Sequence, residues 1–300
     1  MDFSDVIEFC NKEHVEYIIE GNTADLTTIR VGGRASLIVF PHNMLVFCRM
    51  LDMIVSSAYK YVIIGNGSNC YFCKKYDGIV IVTKKLSDIS VKSNEITAMC
   101  GASISSVARL ALCHLLSGIE FAYGIPGTIG GAVYMNAEAF GGNFENITVK
   151  SLVYDTSLKV IKEISKEQHF FEKKKTIFSN KEYIILQTTL SLLSGTYEKI
   201  YNEMQANFLK RNQNQPLNFP SAGSAFKRPN SKESASYLID KAGLKGLKIG
   251  GAEVSKKHAG FIINSENATP CDINNLLKKI KTKISTEFSV NLEEEIIYIE

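Results

Sequence analysis

The chain has 300 residues, 45% of them hydrophobic, with 34 Lys and Arg against 31 Asp and Glu for a net charge of +3. That length supports a sizeable core and suggests two domains at ~150 residues each, and the near balance of charge argues against nucleic acid as a partner. No apolar run approaches the roughly 20 residues of a membrane span, and the acidic, amphipathic N-terminus is unlike a signal peptide, so a cytoplasmic protein with no membrane partner is expected.

The cysteines are odd in number and scattered through apolar or helical patterns, which reads as reduced core residues rather than a disulfide framework. Cys70 and Cys73 form a lone CxxC with no second pair and no nearby histidine. A zinc site needs about four ligands, so core packing is the better reading and no metal is expected.

In chain order, Phe3, Val6, Ile7 and Cys10 give residues 3–19 the spacing of one helical face. A strand over 31–41 opened by Gly32 and Gly33, a largely buried helix over 43–57 and a strand at 61–64 follow. The run Gly-Asn-Gly-Ser-Asn at 65–69 comes directly after that strand, and a strand at 79–82 succeeds it. Gly-Ala-Ser at 101–103 opens a helix predicted over 103–117, with Ser103 as candidate N-cap and Gly118 as stop. The densest glycine segment is Gly-Ile-Pro-Gly-Thr-Ile-Gly-Gly at 124–131, four glycines and a proline within eight residues. A hairpin is expected at 152–154 and 160–164, and a strand at 183–190. A helix over 197–210 leads to a polar stretch at 211–216, and the domain boundary is placed near 196. Beyond lie a helix at 235–242, a strand at 260–264 and a helix at 271–287, whose Ile273, Leu276, Leu277, Ile280 and Ile284 share one face while its lysines face solvent. Strands and helices alternate irregularly, the pattern of an α+β chain with a large first part and a smaller second.

Glycine lets a backbone approach a ligand closely, so the glycine-rich turns are candidates to present amides to a bound group. The 65–69 run is neither a Walker loop nor the dinucleotide GxGxxG. Three such turns, one of them opening a helix whose N-terminal amides suit an anion, suggest a diphosphate cofactor held by backbone. In the second part, Pro-Ser-Ala-Gly-Ser-Ala-Phe-Lys-Arg at 220–228 offers Ser224 as a proton donor near two cations; the competing reading is a polar loop with a capping serine. It is not the GxSxG elbow and has no histidine nearby to act as base. In Leu-Glu-Glu-Glu-Ile at 292–296, Glu293 and Glu295 point to the same face of a strand while Glu294 turns to water. His258, in Lys-Lys-His-Ala-Gly at 256–260, has suggestive neighbours, yet a structural role is favoured because no partner for a base or metal role is in view.

Together these segments resemble the UDP-N-acetylenolpyruvoylglucosamine reductases, in order through most of the chain. The match takes in Asn22-Thr23, residues 31–33, 65–69, 101–103, 124–142, 220–229, 242–246, 249–252, 254–264 and 292–296. The string Ala-Gly-Ser-Ala-Phe-Lys-Arg-Pro, followed by Gly-Gly-Ala-Glu-Val-Ser-Lys-Lys-His-Ala-Gly-Phe, is the most specific part. The length resembles the shorter type, without the extra substrate-covering loop.

The resemblance implies an FAD-binding module of the vanillyl-alcohol-oxidase type over 1–195, in two subdomains split near 60. A smaller C-terminal α+β substrate domain would cover 196–300, its last strand returning to the active site. It further implies FAD reduced by NADPH, UDP-N-acetylglucosamine enolpyruvate as substrate, a role in peptidoglycan synthesis and a monomeric state. FAD would be held by Asn22, Thr23, Gly65, Asn66, Gly67, Ser68, Asn69, Gly101, Ala102, Ser103, Gly124, Ile125, Pro126, Gly127, Thr128, Gly130, Gly131 and Ala132. The substrate would meet Asn136, Gln215, Lys227 and His258. Ser224 maps onto the family's proton donor and Glu295 onto its C-terminal carboxylate. The family's Tyr-Arg-x-Ser segment falls on Lys173, Lys174 and Thr176, so Lys174 stands in for arginine without the planar fork that grips a carboxylate twice. Glu138 stands where the family usually has glycine, which either puts a carboxylate beside the flavin loop or forces it into a glycine conformation. Two competing readings are a flavin-binding homologue without turnover and a sugar or alcohol oxidase of the same superfamily. Against the oxidase stand the C-terminal motifs and the lack of a histidine in the glycine loops.

Overall fold

The computed structural model describes residues 2–172, 174–180 and 182–300, so Lys173 lies outside the described residues. The chain forms two compact units, each assembled from separate stretches. The first comprises Met1–Ile19, Leu37–Asn66 and Gly78–Lys210, and the second Glu20–Ser36, Gly67–Asp77 and Arg211–Glu300.

The first unit opens with the helix Ser4–Lys12, which buries Val6 and Cys10. The helical spacing predicted to residue 19 stops there: His14 takes a left-handed φ of 54°, and the β-branched run that follows becomes the strand Glu16–Asn22. Asn43 caps the helix Met44–Ser56, its side chain accepting from Val46 N at 2.9 Å. A four-stranded sheet takes the order Glu16–Asn22, Arg34–Phe40, Lys75–Val82, Tyr61–Ile64, with the last two parallel. A five-stranded antiparallel sheet takes the order Val160–Ser165, Thr148–Asp155, Tyr183–Ser191, Glu95–Met99, Ile89–Lys92.

The helix predicted over 103–117 ends at Cys113. Leu115 adopts φ 58°, and Leu116–Ser117 instead pairs with Leu193–Ser194. Beneath the five-stranded sheet the fully buried His169 accepts or donates at both ring nitrogens, to Ser165 O at 2.7 Å and Ser151 Oγ at 2.8 Å. Ser151 Oγ is also bonded to Thr188 Oγ1. The carbonyl of Ser165 can only accept, so Nδ1 carries the proton and Nε2 accepts. Burial lowers the pKa of this histidine.

In the second unit a four-stranded antiparallel sheet takes the order Ser221–Ser224, Phe261–Asn264, Ala252–Val254, Lys248–Ile249. The helix Pro270–Phe288 packs on it through the five apolar residues anticipated from its periodicity, and a capping box between Thr269 and Asp272 starts it. The C-terminal strand Ile297–Ile299 pairs in parallel with Cys70–Phe72. The helix Tyr197–Asn214 runs through part of the stretch expected to be irregular. Its Ile200 and Met204 belong to the first unit's core, and the chain passes to the second unit at Arg211. Cys70 and Cys73 are both buried and unpaired, and Cys73 Sγ donates to Lys75 O at 2.9 Å.

Candidate active site

In the first unit the 101–103 and 124–131 turns are joined by backbone, and the start of the 65–69 turn joins them through the Asn66 side chain. Ile104 N donates to Gly127 O, Ile129 N to Ala102 O, and Gly130 N to Cys100 O, all within 3.1 Å. Asn66 Nδ2 donates to Pro126 O at 2.8 Å. A Cβ on Gly65 would overlap Thr128 Oγ1, and one on Gly101 would overlap Thr83 O. A Cβ on Gly130 would lie 2.8 Å from the Cβ of Cys100, whose thiol burial pushes up to about 12 and so keeps neutral. Thr128 accepts from Gly131 N and starts the helix Ile129–Tyr134, which carries Gly130, Gly131 and Ala132. Gly124 is tied back by its N–H to Ser105 Oγ at 3.2 Å, and Gly127 N–H turns onto Ile125 O.

These glycines are needed because neighbouring chain runs against them. The amides of Gly101 and Ala102, considered from the sequence as groups facing an anion, donate to Leu86 O and Met99 O within the fold. Ser103 forms a bridge with Thr128. Accessible surface in the cluster falls at Ser103, Pro126 and Gly131, with Gly65, Asn66, Gly124, Ile125 and Gly127 half-buried.

Beside this cluster, Asn136 is buried at φ 42°. Its Nδ2 donates to Glu145 Oε2 and Glu172 O, and its Oδ1 accepts from Glu145 N. Thr176 Oγ1 donates to Tyr134 O at 2.9 Å. Lys174 is thereby carried to the ribbon formed by Glu138–Ala139 and Gly142–Asn143, where its Nζ lies 3.8 Å from Glu138 Oε1. Glu138 is a strand residue, so no glycine conformation is forced on it; the left-handed positions are Asn136, Phe140 and Gly141.

The second unit carries the other nominated residues. Thr23 is fully buried: its hydroxyl exchanges bonds with Gly33 N and O, and Asn22 caps the turn by accepting from Ala24 N. Gly67, at φ 61°, sits where a Cβ would overlap Leu26 O, and its carbonyl accepts from Thr28 N. Ser68, between Gly67 and Asn69, is half-buried. Asn69 Nδ2 donates to Glu295 O, and Ile297 N returns a bond to Asn69 O, both at 2.9 Å. Residues 225–227 run against 293–295 as an isolated bridge at Phe226 and Glu294 rather than in the strand expected over 292–296: Glu295 N donates to Ala225 O and Lys227 N to Glu293 O, both at 2.9 Å. This pairing seats Ser224 one residue from the Glu295 backbone. Lys227 and Glu293 meet at 3.3 Å, whereas Glu294, expected to face water, pairs with Lys281 at 3.0 Å.

Ser224 ends a strand with an irregular register after Ser221, where Gly223 takes φ 72°. Such a bulge re-aims the next side chain, and the lone glycine inside Ser221–Ser224 was the signal that could have revealed it. His258 Nδ1 accepts from Gly260 N at 3.1 Å, its ring packs edge-on to Phe261, and burial lowers its pKa. Gly260 O in turn accepts from Ala225 N, so the histidine turn supports the Ser224 strand. Gln215 Oε1 accepts from Arg211 Nη1 at 3.1 Å.

Residues 215–299 match the family model of the UDP-N-acetylenolpyruvoylglucosamine reductase C-terminal domain, and residues 35–158 match that of an FAD binding domain. A UDP-N-acetylenolpyruvoylglucosamine reductase of Caldanaerobacter subterraneus subsp. tengcongensis is 39% identical over 271 residues, covering 90% of this chain and 89% of the relative. The chain belongs to the UDP-N-acetylenolpyruvoylglucosamine reductase family. A second relative of that name, reductase 2 of Bacillus cereus, is 40% identical over 277 residues, with 90% and 88% covered.

Among solved structures, the family member from Thermus caldophilus superposes with a TM-score of 0.80 at 27% identity, over 95% of this chain and 99% of that one. The glucooligosaccharide oxidase of Acremonium strictum has a TM-score of 0.51 at 12% identity, over 98% of this chain and 60% of that one, which shows the fold alone. The family's two parts are therefore an α+β flavin module of the vanillyl-alcohol-oxidase type and a C-terminal domain.

Proposed function

We propose that this chain reduces the enolpyruvyl ether of UDP-N-acetylglucosamine enolpyruvate to UDP-N-acetylmuramate, using FAD and NADPH. The observation that carries the reading is family membership over 90% of the chain at 39% identity. As the resemblance implies, the reading includes a cytoplasmic monomer acting in peptidoglycan precursor synthesis.

The residues present fit FAD. The converging turns put small residues and backbone at the accessible surface, and a Cβ on the exposed Gly131 would meet only Thr128 Oγ1, at 3.5 Å. Gly65, Asn66, Ser103, Gly124, Ile125, Pro126, Gly127, Thr128, Gly130, Gly131 and Ala132 would hold the cofactor, as would Asn22, Thr23, Gly67, Ser68 and Asn69. Held there, FAD would supply the hydride-transfer chemistry between NADPH and the terminal carbon of the enol ether.

The chain's own residues then have two tasks. One is to stabilise the negative charge that builds on the substrate carboxylate, which well-placed cations and donors do at a few kcal/mol each. Lys174 is the proposed cation, and Asn136, Gln215, Lys227 and His258 are the proposed substrate contacts. The other task is to deliver a proton to the carbon next to that carboxylate. Ser224 is the proposed donor, with Glu295 beside it on the bridged segment; a hydroxyl is a weak acid, so its placement has to be tight. The bulge at Gly223 and the 225–227 pairing with 293–295 support that placement.

The test is NADPH oxidation by FAD-loaded protein with and without UDP-N-acetylglucosamine enolpyruvate. Substrate-dependent oxidation with formation of UDP-N-acetylmuramate is expected. A protein that holds FAD but oxidises no NADPH in response to that substrate would overturn the reading.

A further inference from the structure

The two positions that the sequence reading marks as departures from the family pattern lie against each other: Lys174 Nζ is 3.8 Å from Glu138 Oε1. Lys174 occupies the turn between Glu172 and Lys175, which form a bridge, and its own φ is 59°. The turn is held to the 134–138 segment by Asn136 Nδ2 on Glu172 O and by Thr176 Oγ1 on Tyr134 O. Glu138 is fixed independently. It pairs with Asn143 across the short ribbon, whose two turn residues, Phe140 at φ 49° and Gly141 at φ 87°, have the conformation of a tight hairpin.

The two side chains differ in exposure. That of Lys174 is 12% exposed and that of Glu138 is 48% exposed, so the carboxylate stands at the outer side of a nearly buried ammonium. A buried charge needs a partner, and a lysine reaches its partner on a flexible four-carbon stem that has to be ordered. At 3.8 Å the carboxylate attracts the ammonium without the short geometry of a hydrogen bond, so an anion that approaches more closely can outcompete it.

We propose that Glu138 is the positioning residue for Lys174, holding the ammonium where the substrate carboxylate binds. The proposal rests on the functional reading above for the role of Lys174. In the family pattern arginine brings its own planar fork; here a carboxylate fixed on a neighbouring ribbon orders a lysine instead.

Two measurements test this. In the first, reductive methylation of FAD-loaded protein without substrate is followed by peptide mass spectrometry, with Lys175 as internal reference. Glu138→Gln should raise labelling of Lys174 several-fold relative to Lys175, with Glu138→Asp between the two; equal labelling in all three proteins would overturn the pairing. This readout needs no turnover, so it decides the pair even where the functional reading fails.

In the second, Glu138→Gln, Lys174→Met and the double variant are compared for kcat/KM with the enolpyruvyl substrate. Residues in contact couple by amounts that correspond to roughly tenfold, so Glu138→Gln should cost about that with Lys174 present and nothing further beside Lys174→Met. The same loss in both backgrounds would show that Glu138 acts without Lys174.

Discussion

In the first unit, Gly65, Gly101 and Gly130 stand where a Cβ would run into Thr128, Thr83 or Cys100, and the turns around them are joined mainly by main-chain bonds. In the second, Ser224, Lys227 and Glu295, proposed above as proton donor, substrate contact and carboxylate, lie where the 225–227 and 293–295 backbones are hydrogen-bonded, and the proposed roles rest on the ends of their side chains. A wall built from backbone fixes a shape and tolerates no added atom, whatever its chemistry. A wall built from side chains keeps its shape when an end group changes, and loses the chemistry.

Substitutions in the two regions should therefore separate stability from rate. The largest effect is expected from Gly101→Ala, whose methyl would meet the backbone carbonyls of Thr83 and Leu86. Overpacking against atoms that cannot rotate away costs about 3 kcal/mol, so thermal unfolding should show a large fall in Tm; an unchanged Tm would mean that the turn relaxes. Next comes Ser224→Ala, for which the comparison predicts an unchanged Tm and turnover slower by about 100-fold, the scale of losing a positioned acid. Stopped-flow traces should put that loss in the substrate half-reaction. Equal loss in both halves would give Ser224 a structural role and erase the contrast.

A smaller effect distinguishes the units by pH. Burial lowers the folded-state pKa of His169, while its unfolded-state pKa is about 6.5. The unfolded chain takes up the proton first as pH falls, so the stabilisation from a neutral His169 is present above about pH 6.5 and is lost below it. Lowering the pH from 7.5 to 5.5 should therefore destabilise the fold, read as a fall in the urea midpoint that His169→Gln diminishes. A variant with the full pH dependence would transfer the effect to other groups, among them His258 in the second unit, whose pKa burial also lowers. The smallest effect is expected from Glu293→Gln. Its pair with Lys227 is largely exposed, and such pairs contribute little, so neither Tm nor kcat should change measurably. A marked rise in KM would extend the proposed substrate contacts to Glu293.

Much of the fold was legible because its signals are local. The apolar face of Pro270–Phe288, the Asn43-capped helix and the strand Tyr61–Ile64 each announce themselves within a few residues. Where a local pattern competed with pairing, pairing won: the helical spacing past Lys12 gave way to a strand, and the helix after Ser103 stopped early so that Leu116–Ser117 could pair. The strand Ser221–Ser224 was not anticipated, since four small residues carry no alternation to read. Of the candidate site, the residue types were visible as motifs, but the engagement of Thr23, Gly101 and Asn136 by neighbouring chain was not.

The amino-acid order alone carried the glycine turns, the Ala-Gly-Ser segment, the Leu-Glu-x-Glu-Ile ending and the family they belong to, because each is a short string whose chemistry is held in its own residues. Tertiary structure alone decided which strings meet. Asn66 reaches Pro126 across 60 positions and Asn69 reaches Glu295 across 226, and Lys174 finds Glu138 through two turns whose left-handed residues no periodicity announces. Such encounters depend on long loops closing and sheets taking register, and those are properties of the whole chain rather than of any segment.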